Sequence, residues 1–354
     1  MVKDVVGIAF LVGVLIVAPL GATSPYSLIT PGGTYDVGVQ PTPATPTPRL
    51  SIPPEYQRPM GRMAFTAVYE TEASWGEVVR ARLRGGADVV PSVSIRPPGT
   101  TQEQLNQANQ RLIDESKPVA TAVALQAAGF PVSITGKGAR VESVIVGLPA
   151  QGVLQQGDII VAVDGQPVQT TDNLVQAITG HKVGEHVMLD VQRNGQDTSV
   201  DVATAASPSD PNQPVLGVTI STYMFDVQVP FQVNIASDNV GGPSAGFMFA
   251  LAILDGVTDG DLTRGYYVAG TGTIARDGTV GPVGGVAEKA LAAEQDGAQV
   301  FLVPRANADE ASRWVHTLQI VPVDHLDDAV KALCALPPIT DKLASPEPPT
   351  PCGQ

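Results

Sequence analysis

The amino-acid sequence predicts an α+β protein with more than one domain, and three observations carry that prediction. The chain has 354 residues, which at about 150 residues per domain is enough for two folded domains. Hydrophobic residues make up 43% of the chain and charged residues only 16%, so a substantial core can form. Short stretches of alternating polarity, typical of strands, are interspersed with capped amphipathic stretches, typical of helices.

The charge and the rarer residue types exclude several classes of function. With 21 Lys and Arg against 35 Asp and Glu, the net charge is −14, and no basic run interrupts it. We therefore predict no nucleic-acid partner. The histidines are His181, His186, His316 and His325. Because their spacing matches no metal motif and the two cysteines form no CxxC pair, we predict no metal and no other cofactor.

The N-terminal segment predicts a membrane anchor. Residues 5–22 carry no charge, and as a helix they would span roughly 27 Å, close to a bilayer core of about 30 Å. We therefore expect residues 1–23 to form a transmembrane anchor. The basic residue of this region precedes the apolar segment, which favours a single-pass protein in the cell membrane with its main body outside the cytoplasm. A signal peptide, cleaved or retained, is the alternative.

Two Pro-rich stretches are expected to be extended. Residues 24–60 contain a Pro/Thr-rich linker, and residues 337–354 form a Pro-rich tail. Cys352 lies in this tail, and Cys334 ends a helical pattern. In an oxidising compartment the two thiols can join in a disulfide, a restraint worth about 3 kcal/mol; two unrelated thiols are the alternative.

Residues 61–129 predict a mixed α/β region. Residues 63–69 alternate like a strand, and Ser74 begins a capping box that opens a short helix. A second box at Thr101 precedes a longer helix, which we expect to break at Pro118. No chemistry is evident here, so this region is predicted to be structural.

Residues 130–207 consist of short strands around one amphipathic helix at residues 171–179. The pattern PA…G-x-L-x-x-GD-x-I-x-x-V-x-G within residues 144–165 resembles a bacterial PDZ domain. The resemblance implies a β-barrel or sandwich that binds protein or peptide substrates as an added strand. It leaves the carboxylate-binding loop open between residues 129–132 and residues 136–138. An unrelated small β-barrel is the alternative.

The chemistry is expected within residues 210–336. Ser244 lies in the sequence GGPSAG, directly before an apolar helical stretch. A serine at such a turn is exposed while backbone N–H groups converge on an oxyanion, so Gly242, Pro243 and Ala245 are candidates for an oxyanion and substrate-backbone loop. On this fragment alone, an N-cap serine in a Gly-rich turn is the alternative.

A second fragment identifies the chemistry. Residues 267–307 read YVAGTGTIARDGTVGPVGGVAEKALAAEQDGAQVFLVPRAN. Together with GGPSAG, this fragment closely resembles the proteolytic domain of Lon proteases, over residues 215–335. The resemblance implies that Ser244 is the nucleophile, that Lys289 is the general base, and that the Thr271 hydroxyl orients this lysine.

A Ser-Lys dyad is also chemically reasonable. A lysine with its ordinary pKa of about 10.4 is a poor base at neutral pH, but burial lowers that pKa. Lys289 lies at an apolar helix start made of small residues, where burial is expected. His316 and His325 follow the motif in a helix and its loop, so we expect them to be surface or capping residues rather than members of a Ser-His-Asp triad.

The chain departs from hexameric Lon in two respects. It has no GxxxxGK[ST] motif, so an ATPase module is not expected. Where many Lon enzymes have an acid three residues before the serine, this chain has Gly241, and Asp238 is displaced. The order of its regions resembles the ATP-independent, membrane-anchored PDZ–Lon proteases.

These observations predict a membrane-anchored, ATP-independent serine endopeptidase with a Ser-Lys dyad. Its PDZ domain is expected to capture peptide segments of the substrate, and assembly into a homo-oligomer is compatible with this prediction. The alternative is a PDZ peptide-binding scaffold or regulator that retains the protease fold without cleaving. Intact Ser244, Lys289 and Thr271 favour the enzyme.

Overall fold

The computed structural model describes residues 21–38, 48–58, 60–96, 101–207, 211, 213–224, 226–238, 240–345 and 347–353. These residues divide into two compact units. The main unit comprises the chain up to Pro131 together with the chain from Val229 onward, and the inserted unit comprises Val132–Gln228. The inserted unit thus interrupts the sequence of the main unit.

The strands in chain order are β1 (Thr23–Asp36), β2 (Leu50–Ser51), β3 (Met63–Ser74), β4 (Asp88–Pro91), β5 (Ser133–Thr135), β6 (Ala139–Val144), β7 (Ile159–Val163), β8 (Gln166–Pro167), β9 (His186–Arg193), β10 (Gln196–Ala203), β11 (Ala205–Ala206), β12 (Pro214–Val215), β13 (Val218–Thr222), β14 (Asp226–Gln228), β15 (Asn234–Ile235), β16 (Val268–Gly270), β17 (Thr273–Ile274), β18 (Val280–Gly281), β19 (Val300–Pro304) and β20 (Gln319–Val323).

The α-helices in chain order are α1 (Trp75–Arg84), α2 (Ser92–Ile95), α3 (Gln102–Ala127), α4 (Thr171–Thr179), α5 (Gly246–Val257), α6 (Val286–Gln295), α7 (Ala308–Ala311) and α8 (Leu326–Cys334). Single 3-10 turns are formed by Pro243–Ala245, Arg305–Asn307 and Thr350–Gly353.

The main unit is built on a mixed sheet with the strand order β20-β19-β16-β3-β1-β4. The strands from β20 to β3 run parallel, whereas β1 is antiparallel to both β3 and β4. Helix α6 packs on β1 and β3, and α3 packs against α5. All residues of α5 are buried. This arrangement brings the carboxyl end of β16, the start of α5 and the start of α6 to one place.

Two helix starts in the main unit follow the sequence signals. Ser74 caps α1 and Thr101 caps α3, each with a capping box. The predicted break at Pro118 is wrong, because α3 continues through that residue to Ala127. The second half of α3 is buried from Ala120 to Leu125, and this packing stabilises the helix against the proline's missing hydrogen bond.

The inserted unit is a sheet with the order β10-β9-β7-β6-β13, to which β8 adds beside β7. Its core contains the inward-facing residues of these strands together with Leu174 and Ile178 from α4. Helix α4 has the predicted bounds, and Thr170 caps it. Strand β13 is the end strand of the sheet, paired with β6 on one side.

The N-terminal prediction needs correction. No helix in the described part of the chain is both long and apolar enough to cross a membrane. This finding contradicts the predicted transmembrane helix and the single-pass localisation with an extracytoplasmic body that was based on it, whereas the membrane as a partner is not tested. Residues 1–20, which hold most of the predicted segment, lie outside the described residues, and the chain enters β1 at Thr23.

The predicted linker and the predicted structural region also differ from the structure. Much of the stretch 24–60 is ordered in the main unit, because β1 pairs with both β3 and β4, and β2 pairs with β15. The region 61–129 belongs to the same unit rather than to a separate one. The pairing partners of these strands are distant in sequence, so local composition did not reveal them.

Candidate active site

Ser244 lies on a tight turn between an irregular loop and α5. The turn begins at Gly242, whose φ of +87° is disfavoured for residues with a side chain. The Gly242 N–H donates a 2.7 Å hydrogen bond to the carbonyl of Asn109 in α3, which holds the turn in place. Ser244 is partly exposed, and the helix behind it is fully buried.

Lys289 extends from the first turns of α6 toward this serine. The helix begins after Gly285, which has a left-handed φ of +65°. A Cβ at this glycine would meet Val68 of β3 at 3.0 Å, so the chain passes close to the sheet here. The Nζ atom of Lys289 lies 3.0 Å from Ser244 Oγ and 3.2 Å from Thr271 Oγ1.

Thr271 follows β16 and connects the serine to the lysine. Its side chain is fully buried, and its hydroxyl donates a 3.1 Å hydrogen bond to the Ser244 carbonyl while facing Lys289 Nζ. The Gly272 N–H donates to the same carbonyl at 2.8 Å. The nucleophile turn is therefore fixed from both sides, by α3 and by the segment after β16.

The environment of Lys289 favours its neutral form. The residue is only 4% exposed, and this burial lowers the pKa of Lys289 to about 8. The carboxylates of Glu310, Glu70 and Glu288 oppose this effect and raise the pKa. At pH 7 roughly a tenth of the amine is thus unprotonated, far more than for an ordinary lysine with a pKa of about 10.4, and the unprotonated form is the one a general base requires.

Three carboxylates form a cluster beside the start of α6, with oxygens of Asp88, Glu288 and Glu310 within 4.8 Å of one another. Such a set can hold a cation, but each residue also has a protein partner. Glu288 accepts a hydrogen bond from the Asp88 N–H, Glu310 accepts one from the Val286 N–H, and Arg313 pairs with Asp88. Burial raises the pKa of Glu288, which lowers the negative charge of the cluster.

The predicted oxyanion loop differs in detail from the structure. Gly242 uses its N–H to bond Asn109, and Pro243 has no N–H. Ala245 is buried inside the 3-10 turn. The N–H of Ser244 itself has no hydrogen-bond acceptor among the described residues. It is therefore the amide of this turn that remains available to an oxyanion.

The dyad opens into a cleft of about 900 Å³. One wall consists of α3 residues, namely Gln102, Leu105, Asn106, Gln107, Asn109 and Gln110. The opposite wall is formed by the segment from Ala67 to Glu70 of β3, with Ile29 and Tyr35. Both walls come from the regions predicted to be linker and structural region. These residues could not be predicted as cleft residues from the sequence, because ordinary strand and helix patterns carry no signal for a cleft.

Strand β3 has an open edge in this cleft. Its neighbour β16 pairs only with Met63–Phe65. The Arg62 carbonyl accepts a hydrogen bond from Val268 on the β16 side, whereas the Ala67 carbonyl lies against β1. Because carbonyls alternate along a strand, those of Val68 and Glu70 face the open edge.

The remaining candidates lie away from the dyad or play structural roles. His316 is exposed, and His325 caps α8, so both are surface or capping residues as predicted. Asp238 pairs with Arg49. The Pro-rich tail is held by a disulfide between Cys334 and Cys352, whose Cα atoms are 5.5 Å apart.

The inserted unit contains a second concave surface, an apolar groove of about 330 Å³. It is bounded by α4, by residues 213–218 and by the loop at residues 145–148. Gly217, with a φ of +88°, leads the chain into the edge strand β13. Neither of the loops predicted to bind a carboxylate, at residues 129–132 or 136–138, lines this groove.

Comparison with protein families matches two segments. Residues 112–204 match the PDZ domain, and residues 222–335 match the Lon protease (S16) C-terminal proteolytic domain. The second match contains Ser244, Thr271 and Lys289. It excludes β3 and α3, so the cleft walls lie outside the matched segment.

Curated relatives agree with the second match. A Lon protease of Roseiflexus castenholzii is 38% identical over 117 residues, which is 32% of this chain and 14% of that protein. Lon protease 2 of Bacillus subtilis is 30% identical over 127 residues, or 36% of this chain and 22% of that protein. The matched part thus spans less than a quarter of the length of either relative.

Two solved structures resemble part of the chain. A solution structure from Geobacillus thermodenitrificans is 36% identical and covers 23% of this chain and 95% of its own, with a TM-score of 0.22. The PDZ domain of an SdrC-like protein from Listeria monocytogenes is 27% identical and covers 24% of this chain and 87% of its own, also with a TM-score of 0.22. By the two family matches, the chain contains one segment similar to PDZ domains and one similar to the Lon proteolytic domain.

Proposed function

We propose that this protein is a serine endopeptidase in which Ser244 and Lys289 act as a catalytic dyad. One observation carries the proposal: the Nζ atom of a buried lysine lies 3.0 Å from the oxygen of a serine at the floor of a large cleft. Burying a lysine costs folding free energy, so such a lysine is more common at functional sites than elsewhere. Its hydrogen-bond distance from the serine oxygen is the distance that proton transfer requires. The match to the Lon proteolytic domain supports the same assignment.

The reaction uses both groups twice. Neutral Lys289 takes the proton from Ser244 Oγ as this oxygen attacks the peptide carbonyl carbon, and the developing oxyanion accepts a hydrogen bond from the Ser244 N–H. The lysine then gives its proton to the leaving amine as the peptide bond breaks, which leaves an acyl-enzyme. Water attacks the ester, Lys289 takes its proton, and the acid product leaves as Ser244 regains a proton. Thr271 holds the lysine in line throughout.

The substrate is proposed to bind as an extended strand in both units. In the main unit, the open edge of β3 presents backbone groups beside the dyad. In the inserted unit, β13 offers its free edge next to an apolar groove, the arrangement by which an added strand gains main-chain hydrogen bonds and side-chain contacts. We place the end of the captured peptide near Leu216 and Gly217, where the chain turns into β13. Because the sequence has no P-loop motif, we expect cleavage without ATP.

A serine-reactive fluorophosphonate probe tests the proposal. We expect covalent labelling of the full chain without ATP, loss of labelling in Ser244→Ala, and unchanged labelling in Ser312→Ala, which removes an exposed serine of the same unit. Cleavage of casein should be lost with the labelling. A labelled protein that cleaves no substrate would indicate the PDZ scaffold instead, and an unlabelled wild type would contradict the nucleophile.

A further inference from the structure

Glu70 presents a carboxylate in the cleft that has no hydrogen-bond or salt-bridge partner among the described residues. This residue of β3 is exposed and lines the cleft together with Lys289. Within the described ranges, its side chain takes part in no hydrogen bond or ion pair, whereas Glu72, two residues further along the strand, pairs with Arg96. An unpaired charge at a cleft wall is free to interact with whatever occupies the cleft.

The rest of the cleft contains little other charge. Among the residues that line it, Glu70 and Lys289 are the only ionisable side chains besides tyrosines, and Lys289 is directed at Ser244. The wall formed by α3 contributes neutral amides, which bind peptide groups without regard to charge. Glu70 is therefore the lining group able to discriminate substrates by their charge.

The distance of Glu70 from the dyad follows from the strand pairing. Strand β16 ends at Gly270, opposite Phe65 of β3, and Thr271 of the active site comes next in the chain. A substrate strand on the open edge of β3 therefore passes the dyad near Val68, which packs against Gly285. At about 3.3 Å per residue, Glu70 lies two or three residues along this strand from the scissile bond.

From this placement we propose that Glu70 is a specificity-determining residue that selects a Lys or Arg side chain two or three residues from the scissile bond. The inference rests on the proposed function and names the substrate class of the same cleft. The net charge of −14 acts in the same direction, because it attracts cationic segments to the protein. The family match begins at residue 222 and assigns nothing to this strand.

Matched fluorogenic peptides test the proposal on the full-length protein. Each peptide has one scissile bond and carries Lys, Gln or Glu two or three residues from it, on either side. In the wild type we expect kcat/KM to be about fivefold higher for the Lys peptide than for the Gln peptide at one of these positions, as for a partly exposed ion pair. Glu70→Gln should remove this ratio, and Glu70→Lys should shift the preference to the Glu peptide.

The ratio separates substrate selection from an effect on the base. Glu70 also raises the pKa of Lys289, but a change in that pKa alters the rates of all peptides alike and cancels in the ratio. Glu115→Gln is the matched control, because it removes the same group from an exposed position outside the cleft, and it should retain the wild-type ratio.

Two results would overturn the inference. One is a wild type that cleaves Lys, Gln and Glu peptides equally well, and the other is a Lys preference that survives in Glu70→Gln. Either result would leave the proposed endopeptidase intact, since cleavage itself is observed. A protein that cleaves none of the peptides and does not react with the fluorophosphonate would instead contradict both.

Discussion

The dyad of the main unit and the groove of the inserted unit are both proposed to bind extended peptides, but they are built from different residue types. The dyad consists of Ser244 and Lys289, which Thr271 positions, and the contacts among these three polar residues lie between 3.0 and 3.2 Å. The groove consists mainly of aliphatic side chains and lies beside the edge of β13. A reaction requires particular functional groups at particular positions, whereas an apolar groove requires only shape and a free strand edge.

This difference predicts how each site responds to substitution. Removing one member of a proton-transfer pair stops the reaction, because the remaining member has nothing to act on. Altering one side of an apolar groove removes only part of the contact area, and the main-chain hydrogen bonds of an added strand persist. Effects should therefore be steep in the main unit and graded in the inserted unit.

The largest expected effect comes from Lys289→Arg. A guanidinium stays protonated throughout the accessible pH range, so this variant should lose at least 1,000-fold in kcat/KM on a short peptide, as Ser244→Ala should. In the wild type, activity requires the neutral amine, so it should rise with pH through an apparent pKa of about 8 and then level off. A pH–rate profile of both proteins on one peptide measures this.

The double variant provides a control for this experiment. Ser244→Ala combined with Lys289→Arg should be no worse than either single variant, since the two groups act as one unit. Substantial activity in Lys289→Arg would show that another group is the base, and His316 and His325 would then be the next residues to test.

The same difference explains what the sequence made predictable. The motif around Ser244 and Lys289 is recognisable because the chemistry tolerates few residue types, and the structure brings these two residues and Thr271 together. The helix at residues 171–179 and the capping boxes at Ser74 and Thr101 depend on local sequence, and the structure confirms all three predictions.

What could not be predicted depends on contacts between distant parts of the chain. Strand β1 lies in a stretch expected to be linker, and its pairing with β3 and β4 determines its structure. The cleft walls from β3 and α3 are made of residues common in any strand or helix. The groove beside β13 could not be predicted either. Strand β13 pairs with β6, which lies far earlier in the chain, and local sequence does not show this pairing.

An intermediate effect is expected for Thr271→Val, which tests whether positioning matters as much as the reacting groups. Valine keeps the shape of threonine but removes the hydrogen bond to the Ser244 carbonyl and the contact with Lys289 Nζ. Two lost hydrogen bonds at about 1 kcal/mol each should lower kcat roughly 10- to 30-fold. KM should change little, because Thr271 is fully buried and does not touch the substrate.

Thr271→Ser is the matched variant, since it restores the hydroxyl and should recover most of the lost kcat. If Thr271→Val is as inactive as Lys289→Arg, the threonine takes part in proton transfer itself. If Thr271→Val has wild-type kcat, the lysine is held by its surroundings alone.

The smallest expected effect is in the groove of the inserted unit, where Val175→Glu tests the graded response. Val175 is 48% exposed and lines the groove from α4, so a carboxylate there adds a charge to an apolar surface with little effect on the core. In the full chain carrying Ser244→Ala, we expect Val175→Glu to weaken the binding of a fluorescent peptide with an apolar C-terminus about fivefold, as measured by anisotropy.

Gln176→Glu is the control, because it adds the same charge to the next residue, which is exposed and does not line the groove. It should leave the affinity near that of the parent. In the active protein, Val175→Glu should lower cleavage of casein more than that of an eight-residue peptide, because we expect casein to provide segments for the groove as well as for the cleft. Equal losses for the two substrates, or equal weakening by Gln176→Glu, would show that the groove does not capture substrate.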